Sequence, residues 1–195
     1  RDRFQIEPGP ISTVDKVKLI DALSKTGLKH IQACSFVNPR LVPGWADAEK
    51  VVESFDAHED VEYTGLYFNG NGLDRALAFK DKLTISGSIS LTASEGFTKK
   101  NLNRTHAENM AAMERHVMSH LELGIPVNRI GVMAAFGCNY QGDISPATVI
   151  KTLEDGMQIA AKTGAEITLF SLADTMGWAA PHRIERVVGL SLIHI

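Results

Sequence analysis

The residues with the clearest chemical potential stand at the very start of the chain, in Arg1-Asp2-Arg3-Phe4-Gln5-Ile6-Glu7. An aspartate beside an arginine can hold a hard divalent cation while the guanidinium grips a carbonyl or carboxylate oxygen in bidentate fashion. Two cations so placed stabilise an oxyanion as it develops, which is the requirement of enolate chemistry. A solvated chain end would carry the same residue types, so these positions alone leave both readings open. Further polar groups gather in short segments: Ser35 and Asn38, Asn69 and Asn71, Ser94 and Glu95, Cys138 to Gln141, and Asp174 with Thr175. His116 and His120 stand four apart on an expected helix, but Val117 occupies the place where a zinc protease carries its glutamate base, so they read as exposed histidines on an outer helix. Cys138 has no histidine in its own segment to activate it as a nucleophile. Lys99 and Lys100 suit phosphate contacts and plain solvation equally well. Trp45 and Trp178 read as packing residues of strand-end loops.

The elements that must position these groups follow from the hydrophobic period. From Val14 to Leu23 the apolar residues fall in a helical stripe, with Ser12 or Thr13 as the cap and Gly27 past the end. A short β-rich run follows at Lys29–Val37. The same order of helix, glycine and strand returns at Met110–Phe136 around Gly124, and at Val149–Leu172 around Gly164. Weaker segments complete the series, with helices at 46–55 and 73–79 and a last helix opening near Pro181. Five strands are expected, at about 30–36, 61–68, 83–91, 128–136 and 166–172. Strands alternating with helices indicate βαβ units and a parallel sheet. The Gly-rich turn of a dinucleotide-binding sheet is missing, since Phe68-Asn69-Gly70-Asn71-Gly72 lacks its third glycine. Every polar cluster above follows the C-terminal end of an expected strand, the face on which barrel enzymes place their chemistry. A (β/α)8 barrel is therefore the expected fold, ahead of an open doubly wound sheet.

Five separated motifs in colinear order carry a resemblance: RDxxQxE at 1–7, HIQACSFVNPRLVPGWAD at 30–47, TASEGFTKKN at 92–101, FGCNYQGDISP at 136–146 and SLADTMGWAAP at 171–181. Together they resemble the 3-hydroxy-3-methylglutaryl-CoA lyases, which belong to a superfamily of metal-dependent lyases and Claisen-type synthases on (β/α)8 barrels. The resemblance implies retro-aldol cleavage of a 3-hydroxyacyl-CoA with Mg2+ or Mn2+ as Lewis acid. It implies Asp2 as a metal ligand and Arg1 as the catalytic, substrate-binding group that stabilises the enolate. Gln5 and Ser35 are then substrate-binding residues, Glu7 a polar neighbour in the motif, and Asp174 a catalytic acidic residue near the acyl group. Gln32 departs from the family, whose lyases carry glutamate there, and Arg3 replaces a common glycine. The amide at 32 can orient neighbours but cannot take a proton, which opens the way to another acyl-CoA substrate. A Claisen-type synthase is the rival enzyme, although FTKKN and GCNYQGDISP favour the lyase. A non-catalytic binding barrel is the rival of another class.

Length and composition set the frame for this reading. The chain has 195 residues and a net charge of −3, from 20 Lys+Arg against 23 Asp+Glu. These charges are interspersed, so neither nucleic acid nor an anionic membrane is an expected partner. The expected ligand is a small acyl-CoA, with assembly into a homo-oligomer left open. Two distant cysteines and no secretory signal fit a cytoplasmic protein. A (β/α)8 barrel typically needs about 250 residues, so residues 1–189 read as a barrel truncated at both ends, with the first strand before Arg1 and the seventh and eighth after Gly189. The family's His-x-His, asparagine and Gly-rich cysteine loop are not found in these 195 residues, and the polypeptide alone is expected to be inactive. Leu190–Ile195 does not continue the preceding helical pattern, and reads either as foreign sequence or as a compressed remnant of the seventh strand.

Overall fold

A computed structural model describes residue 9 and residues 11–194. The chain divides into two compact units, Arg1–Ile85 and Ser86–Ile195. Each is built of parallel strands alternating with helices.

In the first unit, α1 (Thr13–Ser24) leads to β1 (His30–Ser35), and α2 (Ala48–Ser54) leads to β2 (Glu62–Leu66), with α3 (Gly70–Leu77) after it. Ser12 caps α1 by accepting the Asp15 N–H, and Gly27 takes a φ of +87° where the helix hands over to the strand. That left-handed turn is accessible to glycine without the Cβ penalty. The strands β1 and β2 pair in parallel register, with His30 opposite Glu62 and Gln32 opposite Thr64. One side of this pair carries Ile31, Ala33 and Tyr63 into a core with Ile20, Val51, Val52 and Phe55. The alternation of the strand turns His30, Gln32 and Thr64 to the other side.

In the second unit, β3 (Gly87–Thr92), α4 (Glu95–Leu102), α5 (His106–Glu122), β4 (Val127–Met133), α6 (Pro146–Thr163), β5 (Leu169–Leu172) and α7 (Pro181–His194) follow in order. The sheet runs β3-β4-β5, all parallel. Ile89, Leu91, Ile130 and Val132 meet Val117 of α5 and Val149 and Leu153 of α6 in the core. Gly156 lets α6 approach closely, because a Cβ there would lie 2.9 Å from the Ile130 side chain. Gly164 ends α6 in the left-handed conformation, at φ +77°, as the recurring order of helix, glycine and strand predicts.

Three differences from the sequence reading have physical causes. The segment after β3 is not an irregular loop: Ser94 accepts the Phe97 N–H and opens α4. Eight residues with few apolar positions give too weak a stripe to read as helix. The last helix continues into the segment from Leu190 onward, which the sequence pattern leaves outside it. It runs to His194 through Gly189, and Val187 is buried in the second core. The apolar positions Ile184, Val187, Val188 and Leu190 keep helical spacing across that glycine. Finally, the α5 histidines are not both solvated, since His120 is 2% exposed.

His120 lies against Gly87 and its ring centroid is 4.0 Å from that of His116. Burial first, and the neighbouring His120 second, lower His116 to about 4. Burial also lowers His120, partly offset by its hydrogen bond to the His116 carbonyl. Both shifts favour the neutral rings in the folded state. Their contribution to stability is complete above the ordinary histidine value near 6.5 and is lost as pH falls from there toward about 4. Thermal unfolding scans are expected to show a Tm several degrees lower at pH 4.5 than at pH 7, and His116→Gln should remove much of that difference. An acid slope unchanged by His116→Gln would contradict this assignment.

Candidate active site

The strand-end segments of the second unit are joined by a hydrogen-bond network. Ser94, at the end of β3, is fully buried and its Oγ lies 3.0 Å from Cys138 Sγ and 3.0 Å from Gln141 Oε1. The same oxygen accepts the Phe97 N–H. A hydroxyl has one proton to give. When Ser94 donates to Gln141 Oε1, the Cys138 thiol must donate to Ser94, whereas a Cys138 thiolate needs the Ser94 proton for itself. Burial pushes the Cys138 thiol up, but the Ser94 hydroxyl and the backbone N–H groups of Tyr140 and Gln141 outweigh it and hold the thiol below its ordinary value. The Cys138 side chain is fully buried and packs with Phe97 and Ala134.

The loop that carries Cys138 is tightly held. Cys138 and Gly142 exchange two backbone hydrogen bonds, at 2.9 and 2.8 Å. Gly137 sits at φ +127°, and a Cβ there would come 2.6 Å from the Trp178 ring. Trp178 is therefore a packing partner of this loop, as the sequence implies. Ala134 adopts φ +53°, an uncommon conformation for alanine, and its N–H is held by Thr175 Oγ1 at 2.8 Å. Such strain persists only where the surroundings over-determine it, and it clusters at functional sites.

Asp174 follows β5, where the barrel reading requires it. Its carboxylate accepts the Trp178 N–H at 2.8 Å and the Ala179 N–H at 2.9 Å, one on each oxygen. In this arrangement Asp174 closes the 174–179 turn and orients Trp178.

In the first unit, Ser35 ends β1 and its Oγ is buried with no hydrogen-bond partner among the described residues. An unpaired buried hydroxyl is costly unless a ligand or water completes it, which fits the substrate-facing role implied for Ser35. Gln32 is half-buried in the middle of the same strand. The loop beyond β1 is braced by Arg75, which grips Glu49 through two hydrogen bonds and donates to the Val37 carbonyl. Trp45 is 1% exposed and lies under the Lys16 ammonium, 4.8 Å from the ring centre. Asn69 caps α3 through the Gly72 N–H, so the G-x-G segment serves a helix start.

Arg1, Asp2, Gln5 and Glu7 lie outside the described residues. Among the described residues no group of three or more His, Cys, Asp or Glu side chains could hold a metal ion. A hard cation of the Mg2+ or Mn2+ type needs several convergent oxygens, and the described residues do not supply that set. Lys99 and Lys100 are exposed near the end of α4. No helix among the described residues is long and apolar enough to cross a membrane. Thr92 enters the sequence analysis only as the first residue of the 92–101 motif, yet its Oγ1 is a second buried hydroxyl without a partner among the described residues, at the end of β3. Strand alternation was the available signal, because Ser88, Ser90 and Thr92 recur at every second position.

The model of the HMGL-like family matches residues 1–191. Hydroxymethylglutaryl-CoA lyase YngG of Bacillus subtilis is 32% identical over 188 residues, which cover 96% of this chain and 60% of that protein. Human mitochondrial hydroxymethylglutaryl-CoA lyase is 34% identical over 181 residues, covering 93% of this chain and 53% of that protein. Among solved structures, the hydroxymethylglutaryl-CoA lyase of Pseudomonas aeruginosa superposes with a TM-score of 0.85 at 27% identity, covering all of this chain and 62% of that one. An HMG-CoA lyase from Acinetobacter baumannii, in complex with coenzyme A and 3-methylmalate, gives a TM-score of 0.81 at 32% identity, covering all of this chain and 60% of that one. The chain thus spans about half to three fifths of the length of these relatives. The family match, the parallel β/α order and these superpositions agree: the chain belongs to the HMGL-like family and has its TIM-barrel fold, of which it comprises an incomplete part.

Proposed function

We propose that the full-length protein is a carbon–carbon lyase of the hydroxymethylglutaryl-CoA lyase type, cleaving 3-hydroxy-3-methylglutaryl-CoA or a related 3-hydroxyacyl-CoA by a retro-aldol reaction. The observation that carries this reading is the match over residues 1–191 to a family whose relatives are named as lyases of this substrate, with Ser35 and Asp174 both at strand ends. In such a cleavage the tertiary hydroxyl loses its proton, the C2–C3 bond breaks, and the acetyl-CoA enolate takes up a proton. Arg1 is the group that stabilises the enolate oxygen, and Ser35 and Gln5 orient the acyl group. Asp174 holds the turn that carries Trp178. A divalent cation, Mg2+ or Mn2+, supplies Lewis acidity when bound, with Asp2 as its ligand from this chain. Coenzyme A bound to the Acinetobacter baumannii relative supports an acyl-CoA as the small-molecule ligand. Cytoplasmic as well as mitochondrial relatives exist, and the cytoplasmic assignment rests on the former.

The test is an assay of the full-length protein after EDTA treatment. Cleavage of 3-hydroxy-3-methylglutaryl-CoA is expected to fall to background and to return on addition of Mn2+ or Mg2+. Turnover that survives complete cation removal would refute the cation-dependent mechanism.

A further inference from the structure

The end of β1 is clamped from α3 by a single guanidinium. β1 closes at Ser35, and the next residue is still tied to the sheet, since the Phe36 N–H donates to the Leu66 carbonyl at 2.7 Å. The Phe36 ring is buried against Gly65 of β2, where a Cβ would come 2.6 Å from it, and its centre lies 6.2 Å from that of Phe79. The guanidinium carbon of Arg75 lies 5.5 Å from the same ring centre. From there Nη1 donates to the Val37 carbonyl at 3.0 Å, while Nε and Nη2 donate to the two Glu49 oxygens at 2.5 and 3.0 Å. Gly72 completes the contact with α3, because a Cβ there would lie 2.8 Å from the Phe36 carbonyl oxygen. Only the rigid fork of an arginine serves a carboxylate and a backbone carbonyl at once.

The Arg75 and Glu49 side chains are 26% and 36% exposed, and ion pairs as open to water as this add little to stability. What the fork does fix is geometry. Glu49 opens α2 and Arg75 lies in α3, so the Val37 carbonyl is held to both helices at a point two residues beyond Ser35. The Ser35 hydroxyl has no partner among the described residues. Without a hydrogen bond of its own, that hydroxyl takes its direction from the backbone that carries it. We propose that Arg75 is a positioning residue for Ser35: through the Val37 carbonyl and the Phe36 ring it fixes the end of β1, and so the angle at which the Ser35 hydroxyl meets the acyl group. The inference rests on the lyase reading, with Ser35 facing substrate, and deepens it.

The test uses the full-length holoenzyme with 3-hydroxy-3-methylglutaryl-CoA. Arg75→Gln is expected to lower kcat by about 10- to 100-fold, the scale on which a small misplacement near the chemistry acts. KM should change by less than about threefold, because orientation and not capture is lost. Arg75→Lys should recover little, since one ammonium cannot reach the carboxylate and the carbonyl together. Glu49→Gln keeps an acceptor without the charge-assisted fork, and should lower kcat by about 3- to 10-fold. The decisive comparison is made in a Ser35→Ala background. There Arg75→Gln and Glu49→Gln should each cost less than about twofold more, because a residue that acts through the Ser35 hydroxyl has nothing left to place. A merely structural residue would multiply its whole loss onto Ser35→Ala, and that result overturns the positioning role. So does an Arg75→Gln or a Ser35→Ala enzyme as active as the wild type. Should Arg75→Gln fail to fold, Glu49→Gln decides by the same comparison. A folded wild-type protein that cleaves no 3-hydroxyacyl-CoA overturns the lyase reading itself, and this role with it.

Discussion

Replacing Lys16 with alanine is expected to destabilise the protein by about 3–5 kcal/mol, the cost of breaking one side of a buried ion pair. Lys16 is 2% exposed and its ammonium lies 2.6 Å from Asp47 Oδ1 and 2.5 Å from the Gly44 carbonyl. It also lies over the Trp45 ring. Burial alone would raise the Asp47 carboxyl, but hydrogen bonds from Lys16 and Thr13 bring it below its ordinary value. The network joins α1 to the 43–47 segment that follows β1, so its loss loosens the approach to Ser35. In Lys16→Ala the Gly44 carbonyl loses the Lys16 ammonium and Asp47 keeps Thr13, 2.6 Å away, and a backbone N–H. Lys16→Met refills the volume without the charge. Asp47, which is 22% exposed, can then turn to water, and the cost should fall to roughly 1–3 kcal/mol. Urea unfolding of the full-length variants measures both values. Equal stability of Lys16→Ala and the wild type would remove the network from the account.

The largest effect on activity is expected at Asp2. Asp2→Ala in the full-length protein should lower kcat/KM for the thioester by on the order of 10³-fold, the loss of several kcal/mol of charge stabilisation at the developing oxyanion. Added Mn2+ should restore at most a small part of it. By contrast, Asp174→Asn should leave most of the chemistry in place, since among the described residues its carboxylate accepts only backbone N–H groups and its loss acts through the position of Trp178. A loss at Asp174 as deep as that at Asp2 would assign Asp174 direct participation.

The period of the apolar residues made most of the fold legible. The glycines at 27, 124 and 164 announce where a helix ends and a strand begins because only that conformation lets the chain turn there, and all three take positive φ. All five expected strands are present, each within a few residues of its predicted bounds. The helix α4 was hidden because Ser94 reads equally as a loop residue and as a cap. The burial of His120 was hidden because it depends on a glycine at position 87, far away in sequence. The candidate site was legible only as a set of polar residues after strands. Which of them touch is decided by the register of the parallel sheet, which brings Ser94 to Cys138 across 44 positions. Thr92 is illegible in the sequence for the opposite reason, since a hydroxyl in a strand gives no signal until its lack of a partner is seen.

On the proposed reading, the full-length protein splits a 3-hydroxyacyl-CoA into acetyl-CoA and a ketone-bearing product. Product analysis of the full-length protein with 3-hydroxy-3-methylglutaryl-CoA and Mn2+ tests it most directly. The account predicts acetyl-CoA and acetoacetate in equal amounts, with no free coenzyme A. Release of free coenzyme A by thioester hydrolysis, or no consumption of this or any related 3-hydroxyacyl-CoA, would contradict it.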